Sequence, residues 1–147
     1  MKKIMLAVAT LVLGCLAVEA GDLLSLGIYF TGGSVELVSQ TPKVAYRSKN
    51  VPGKNGWTSF PCYINIDKPQ SVELTFKATG DLTFYASLYA FRRPGHKIIP
   101  LQCDKFEYNG KPIRVPKVIT GWKRILTRNL EDGSTFTIKL ELSKPEE

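Results

Sequence analysis

Hydrophobic and polar side chains alternate along much of this chain with a period of two. Val72, Leu74, Phe76 and Ala78 interleave with Glu73, Thr75 and Lys77, the pattern of a strand with one face in a core and the other in water. Gly80-Asp81 breaks the run. Residues 82–91 then resume it, with Leu82, Phe84, Ala86, Leu88 and Ala90 on one side and Thr83, Tyr85, Ser87, Tyr89 and Phe91 on the other. Both sides carry bulk, which predicts a central strand. Beyond the turn sequence Glu131-Asp132-Gly133-Ser134, Phe136, Ile138, Leu140 and Leu142 alternate with Thr135, Thr137, Lys139 and Glu141, predicting another strand.

Asn109-Gly110, between residues 104–108 and 111–115, is the dipeptide that best accepts positive φ at both central positions of a tight turn, so a hairpin is predicted there. Shorter candidates at 35–38, 43–47, 62–66 and 118–126 bring the expected total to about eight or nine strands. No stretch keeps helical periodicity for about ten residues, and no internal repeat is present. Short strands separated by turn signals predict an all-β fold, an antiparallel sandwich or barrel, with a single β-sandwich as the expected form.

Composition agrees. The 147 residues are 44% apolar and 22% charged, which fits one globular domain and excludes a disordered chain. Nine prolines and twelve glycines are scattered without a short period, which excludes collagen-like and low-complexity readings.

The first residues follow a different pattern. Lys2 and Lys3 precede an apolar run at 4–13, and Val18-Glu19-Ala20 forms a small-residue cleavage site before Gly21. This predicts a bacterial secretory signal peptide over residues 1–20 and a sandwich domain over 21–147. The apolar run is shorter than the roughly 20 residues of a bilayer-spanning helix. The expected location is therefore periplasmic or extracellular. Val12-Leu13-Gly14-Cys15 also resembles a bacterial lipobox, in which the Cys15 thiol is lipidated. Anchorage as a lipoprotein is thus the alternative to soluble export, and that lipid is the one expected link to a membrane.

The formal net charge is +7, and loss of Lys2, Lys3 and Glu19 leaves the domain basic. Such a domain concentrates anions around itself, among them acidic glycans, wall phosphates and lipid headgroups. Arg92-Arg93 and Lys123-Arg124 are isolated pairs, however, and no lysine- or arginine-rich run occurs. Nucleic acid is not an expected partner.

Cys62 and Cys103 remain after the signal, in a compartment where disulfides persist. A bond between them would close a loop of about 40 residues and add roughly 4 kcal/mol through loop entropy. Strand parity opposes it, because Cys62 aligns with Ile64 and Ile66 whereas Cys103 is out of phase with Phe106 and Tyr108. Pairing needs a bulge or loop at 100–103, and two separately buried thiols are the alternative. No C-x-x-C pair or histidine cluster accompanies them, so no metal is expected.

The block Ser71-Val-Glu-Leu-Thr-Phe-Lys-Ala78, the run Leu82-Thr-Phe-Tyr-Ala-Ser-Leu-Tyr-Ala-Phe91, and Gly121-Trp-Lys-Arg-Ile125 leading to Asp132-Gly-Ser-Thr-Phe-Thr-Ile-Lys-Leu-Glu-Leu142 together resemble the C-terminal half of galactose-binding-like jelly rolls and bacterial carbohydrate-binding modules. The resemblance covers about half of the domain and implies a jelly-roll form of the sandwich. Residues 21–40 depart from the asparagine- and acid-rich opening of those modules. A structural calcium is accordingly unsupported, and no cofactor is expected.

Catalytic chemistry is thin. The single histidine, His96, lies in the turn-like Arg92-Arg-Pro-Gly-His-Lys97, and no G-x-S-x-G elbow surrounds any serine. Asp67, Asp81 and Asp132 sit at turns, and Glu73 and Glu141 on outward strand faces, so no carboxylate pair is framed for glycoside hydrolysis. No phosphate loop, dinucleotide fingerprint or metalloprotease helix occurs. The chain is not expected to be an enzyme.

Binding remains. Tyr85 and Tyr89 flank Ser87 on the non-core side of their strand, where the rings would form a flat platform for the C–H faces of a sugar and the hydroxyls would add hydrogen bonds. Trp57, in a glycine- and proline-broken loop, is a second platform. Trp122 is expected in the core or at its end, and Arg92 and Arg93 are the cations expected near an anionic ligand. The expected function is an exported, non-catalytic module that binds a polysaccharide or cell-wall glycan through Tyr85, Tyr89, Trp57, Ser87 and Arg92. The alternative is a structural or protein-interaction component of the cell envelope, with an envelope protein as partner.

Overall fold

The computed structural model describes residues 21–46, 51–52 and 56–145, so the signal segment, Cys15 and part of the loop before Trp57 lie outside the described residues. The described residues form twelve strands, all paired antiparallel. They are β1 (Gly21–Thr31), β2 (Ser34–Thr41), β3 (Ala45–Tyr46), β4 (Val51–Pro52), β5 (Thr58–Asn65), β6 (Gln70–Thr79), β7 (Leu82–Arg93), β8 (Lys97–Tyr108), β9 (Lys111–Pro112), β10 (Val118–Thr120), β11 (Lys123–Leu130) and β12 (Thr135–Ser143).

One layer runs β11-β7-β1-β5, with β3 and β4 alongside β5. The other runs β2-β6-β12-β8, with β9 and β10 alongside β8. The layers join where the start of β8 pairs with the end of β7, Phe91 opposite Ile98. The rest of β8 then crosses to β12, Phe106 opposite Leu140. The fold is therefore all-β and sandwich-like. The inward parity of each strand supplies the core, with Leu24, Leu26 and Ile28 from β1 and Phe84, Ala86 and Leu88 from β7 facing Leu74 and Phe76 from β6 and Ile138 and Leu140 from β12. Burying such alternating faces is the main favourable contribution to folding.

Phe136 stands at the centre of this core. Its ring stacks on Phe84 at 4.4 Å and on Phe76 at 5.0 Å. Asn109 and Gly110 take φ values of 51° and 79°, as the β8–β9 hairpin requires. At one end of the sandwich the turns brace each other, since the Gly80 N–H donates to Asp132 Oδ1 (2.7 Å) and the Asp132 N–H to Asp81 Oδ1 (2.9 Å).

Two sequence expectations need correction, and one open alternative is decided. The first strand, β1, was absent from the strand expectation, yet it is the middle of its layer, hydrogen-bonded to β7 and β5 along its length. The 118–126 candidate is two strands separated by Gly121, whose φ of 83° turns the chain. Cys62 and Cys103 are free, separately buried thiols rather than a disulfide. A bulge occurs just beyond the 100–103 stretch: Glu141 faces Lys105 and Leu142 faces Cys103, leaving Asp104 as the extra residue. It turns Cys103 and Phe106 to the same interior, but the Cys103 Sγ donates to the Lys105 carbonyl at 3.4 Å.

Burial pushes the Cys62 thiol up to about 12 and the Cys103 thiol up to about 11. Neither forms the reactive thiolate near neutral pH. Both are expected to resist a thiol reagent in the native protein and to be labelled promptly in guanidinium. Labelling of either in the native state within minutes would contradict this burial.

Candidate functional site

The outward face of the β7-β1-β5 layer is not the polar surface usual for a sandwich. Pairing register sets its rows. Tyr29 lies opposite Tyr85 and Ser59, Gly27 opposite Ser87 and Pro61, and Ser25 opposite Tyr89 and Tyr63. Two aromatic rows therefore flank a row of small residues. Tyr85 and Tyr89, four residues apart on one strand, are separated by about 13 Å at the usual strand rise.

In the first row the Tyr29 and Tyr85 rings stack, with centroids 4.8 Å apart and planes 17° apart. On the other flank of β7 the neighbouring strand β11 brings the Arg124 guanidinium over the Tyr85 ring, its Cζ 4.1 Å from the centroid. Tyr85 is thus held between a ring from β1 and a cation from β11. It is not the open platform expected from the sequence, because its faces are occupied and its edge and hydroxyl are what it presents. Burial, followed by the neighbouring Tyr29 phenol, raises the Tyr85 pKa, and Arg124 partly offsets the rise.

Both tryptophans meet this stack edge-on. Trp57 lies 4.9 Å from Tyr85 at 65°, and Trp122 lies 6.2 Å from it at 87°. Trp57 is half-buried. Trp122 keeps 50% of its surface in solvent, which corrects its expected place in the core. Gly121 breaks the strand one residue earlier, so the indole leaves the core parity and swings over the outer face.

The second aromatic row is built on Tyr63, Tyr89 and Phe91. Tyr89 packs against Phe91 at 5.5 Å and shares a side-chain hydrogen bond with Ser25, and burial raises its pKa. His96, at a φ of 50° in the β7–β8 turn, stacks on Phe91 at 4.3 Å. The Arg93 guanidinium lies over the Phe91 and Tyr63 rings at 5.4 and 5.8 Å.

Ser87, between the rows, is buried, and among the described residues its Oγ has no hydrogen-bond partner. Opposite it, a Cβ on Gly27 would come within 2.7 Å of Tyr29 Cε1 and 3.1 Å of Ser87 Oγ. Glycine there lets the Tyr29 ring lean across its own strand, an aromatic covering a glycine. Gly27→Ala is expected to displace Tyr29, to cost about 1–3 kcal/mol as an overpacked site, and to alter the near-ultraviolet circular dichroism. An unchanged aromatic spectrum would contradict this packing.

Arg92 does not belong to this face. It has the opposite parity to Tyr85 and Tyr89, and it grips Asp22 through Nε–Oδ1 at 2.7 Å and a second nitrogen on Oδ2 at 3.2 Å. Lys144 adds a contact of 3.2 Å to the same carboxylate and one of 3.5 Å to Asp67. Arg92 is therefore part of a structural clamp at the end of the sandwich, and the guanidinium groups that lie over the aromatic rings of the outer face are those of Arg93 and Arg124. Arg124, Trp122, Tyr29 and Tyr63 were missed as site residues. For Tyr29 the signal was present in the alternation of Ser25, Gly27 and Tyr29 with Leu24, Leu26 and Ile28.

Beside Arg124 a shallow cleft of about 550 Å³ is lined by Arg114, Val115, Pro116, Lys123, Arg124 and Ile125. Among the described residues, no group of three or more histidines, cysteines, aspartates and glutamates is placed to hold a metal ion. No protein-family model matches the chain, and no curated protein or solved structure matches it.

Proposed function

We propose that this protein is a non-catalytic module that binds a carbohydrate on the outer face of the β7-β1-β5 layer. The observation that carries the reading is the Tyr29–Tyr85–Arg124 stack with Trp57 and Trp122 set edge-on around it. Sugars present apolar C–H faces to indole rings and hydroxyls to phenols and guanidinium groups. Two tryptophans set edge-on to a tyrosine stack supply both. Holding the stack rigid before binding lowers the ordering cost of binding. The jelly-roll form of the sandwich and export through the signal segment at residues 1–20 belong to the same reading, and their support is the sequence resemblance and the leader pattern.

The test is affinity electrophoresis of the intact protein through gels containing soluble polysaccharides. Retardation is expected, with Trp57→Ala and Trp122→Ala each weakening it about tenfold or more, the loss of a single well-placed aromatic. Trp122 is exposed, so its variant is expected to unfold within about 0.5 kcal/mol of the parent. Absence of retardation by every polysaccharide, with a stable protein partner recovered from envelope extracts, would replace this reading by a structural role in the envelope.

A further inference from the structure

The two layers differ in charge. The strands β1, β5, β7 and β11 carry Arg92, Arg93, Lys123, Arg124 and Arg128 against one acid, the buried Asp22. The strands of the other layer carry Glu36, Glu73, Asp104, Glu107 and Glu141 against as many lysines. The positive excess of the strands therefore lies on the same layer as the half-buried tyrosines, the half-buried Trp57 and the exposed Trp122. From this coincidence and the cleft beside it we infer that the ligand is an acidic polysaccharide whose charged group is a carboxylate. Its sugar ring would lie against Trp57 and Trp122, and its acid group would enter the cleft formed by Arg114, Lys123 and Arg124. The inference deepens the carbohydrate reading and rests on it.

The local chemistry is specific. Among the described residues no acid lines the cleft and no carboxylate is within ion-pair distance of Arg114, Lys123 or Arg124. Arg124 is already positioned by the Tyr85 ring beneath it. A guanidinium offers a planar fork of donors that matches a carboxylate in a bidentate contact. Stacking on an aromatic face leaves the edge of that fork for the incoming anion. A neutral glycan would leave the cleft unused, and a polyanion without apolar sugar faces would leave the indoles unused.

The experiment compares retardation of the intact protein by polygalacturonate and alginate, by the methyl esters of both, by a neutral glucan and by duplex DNA, at two salt concentrations. Binding to a polyuronate is expected to exceed binding to its methyl ester at least tenfold and to weaken with salt. The double variant Arg114→Gln/Arg124→Gln is expected to abolish that preference. Lys139→Gln, on the opposite layer, is expected to leave it unchanged. Arg124→Lys, which keeps the charge but not the fork, is expected to fall between parent and Gln variant. Equal retardation by polyuronate, methyl ester and glucan would overturn the carboxylate assignment while leaving the carbohydrate reading in place. Retardation by DNA as strong as by polyuronate would also overturn it, as binding by charge alone. No retardation by any polysaccharide would overturn both.

Discussion

Phe136→Ala is expected to cost about 3–5 kcal/mol, the range for deleting a fully buried aromatic ring. The melting temperature should fall by about 10–20 °C for a domain of this size. Phe136 is 1% exposed and stacks between Phe76 and Phe84, one from each layer. Its removal leaves a cavity lined by rings fixed on well-paired strands, which cannot collapse into the space. A native domain is stable by only about 5–15 kcal/mol in total, so the variant should lose a large share of its stability. Phe136→Leu, which refills most of the volume, should recover more than half of the loss. A melting temperature within about 3 °C of the parent for Phe136→Ala would show that the two layers do not depend on this stack.

The second large effect concerns the clamp at the end of the sandwich. Asp22→Asn is expected to destabilise by about 1.5–3 kcal/mol, the range for hydrogen bonds to a charged group. The larger figure of about 3–5 kcal/mol for a broken buried ion pair does not apply. The Arg92 and Lys144 side chains are 53% and 40% exposed, and water screens them.

The hydrogen bonds from Arg92 hold the Asp22 carboxyl below the ordinary aspartate value of 3.8. Burial opposes this, and Lys144 reinforces it. Because the folded value lies below the unfolded one, the contribution is complete above the ordinary aspartate range and is lost as the pH falls through the lowered value. The parent should therefore lose stability more steeply than Asp22→Asn below about pH 4. Their denaturation midpoints should converge in acid. Parallel midpoints from pH 7 to pH 3 would remove Asp22 from this account.

The face proposed to bind carbohydrate was only partly legible in the sequence. Tyr85, Ser87 and Tyr89 share a parity that alternation reveals, and the structure places all three on the outward face of β7. Arg92 was the misreading. Its neighbour Arg93 has the outward parity, so strict period-two counting already separated the two arginines. The Asp22 carboxylate that takes Arg92 lies on a strand which the sequence had left out. Trp122 was assigned to packing because a tryptophan after a glycine at the start of a strand is usually interior, and the Gly121 turn that frees it depends on a positive φ. Arg124 had no sequence signal as a site residue. It meets Tyr85 only because β11 pairs beside β7 with a register shift between Arg124 and Leu126.

Local alternation was enough to decide the all-β class, the antiparallel layering and most of the core, because a period of two encodes which face of a strand is buried whatever its neighbours are. It also carried the Asn109-Gly110 hairpin, where backbone sterics act within two residues. The order of strands was a tertiary decision, and with it came the ring stack on Tyr85, the clamp on Asp22, and the separation of Cys62 from Cys103 on layers that the β8 crossover joins. These contacts unite residues far apart in the chain, and their geometry follows from register and strand neighbours. No local pattern contains that information.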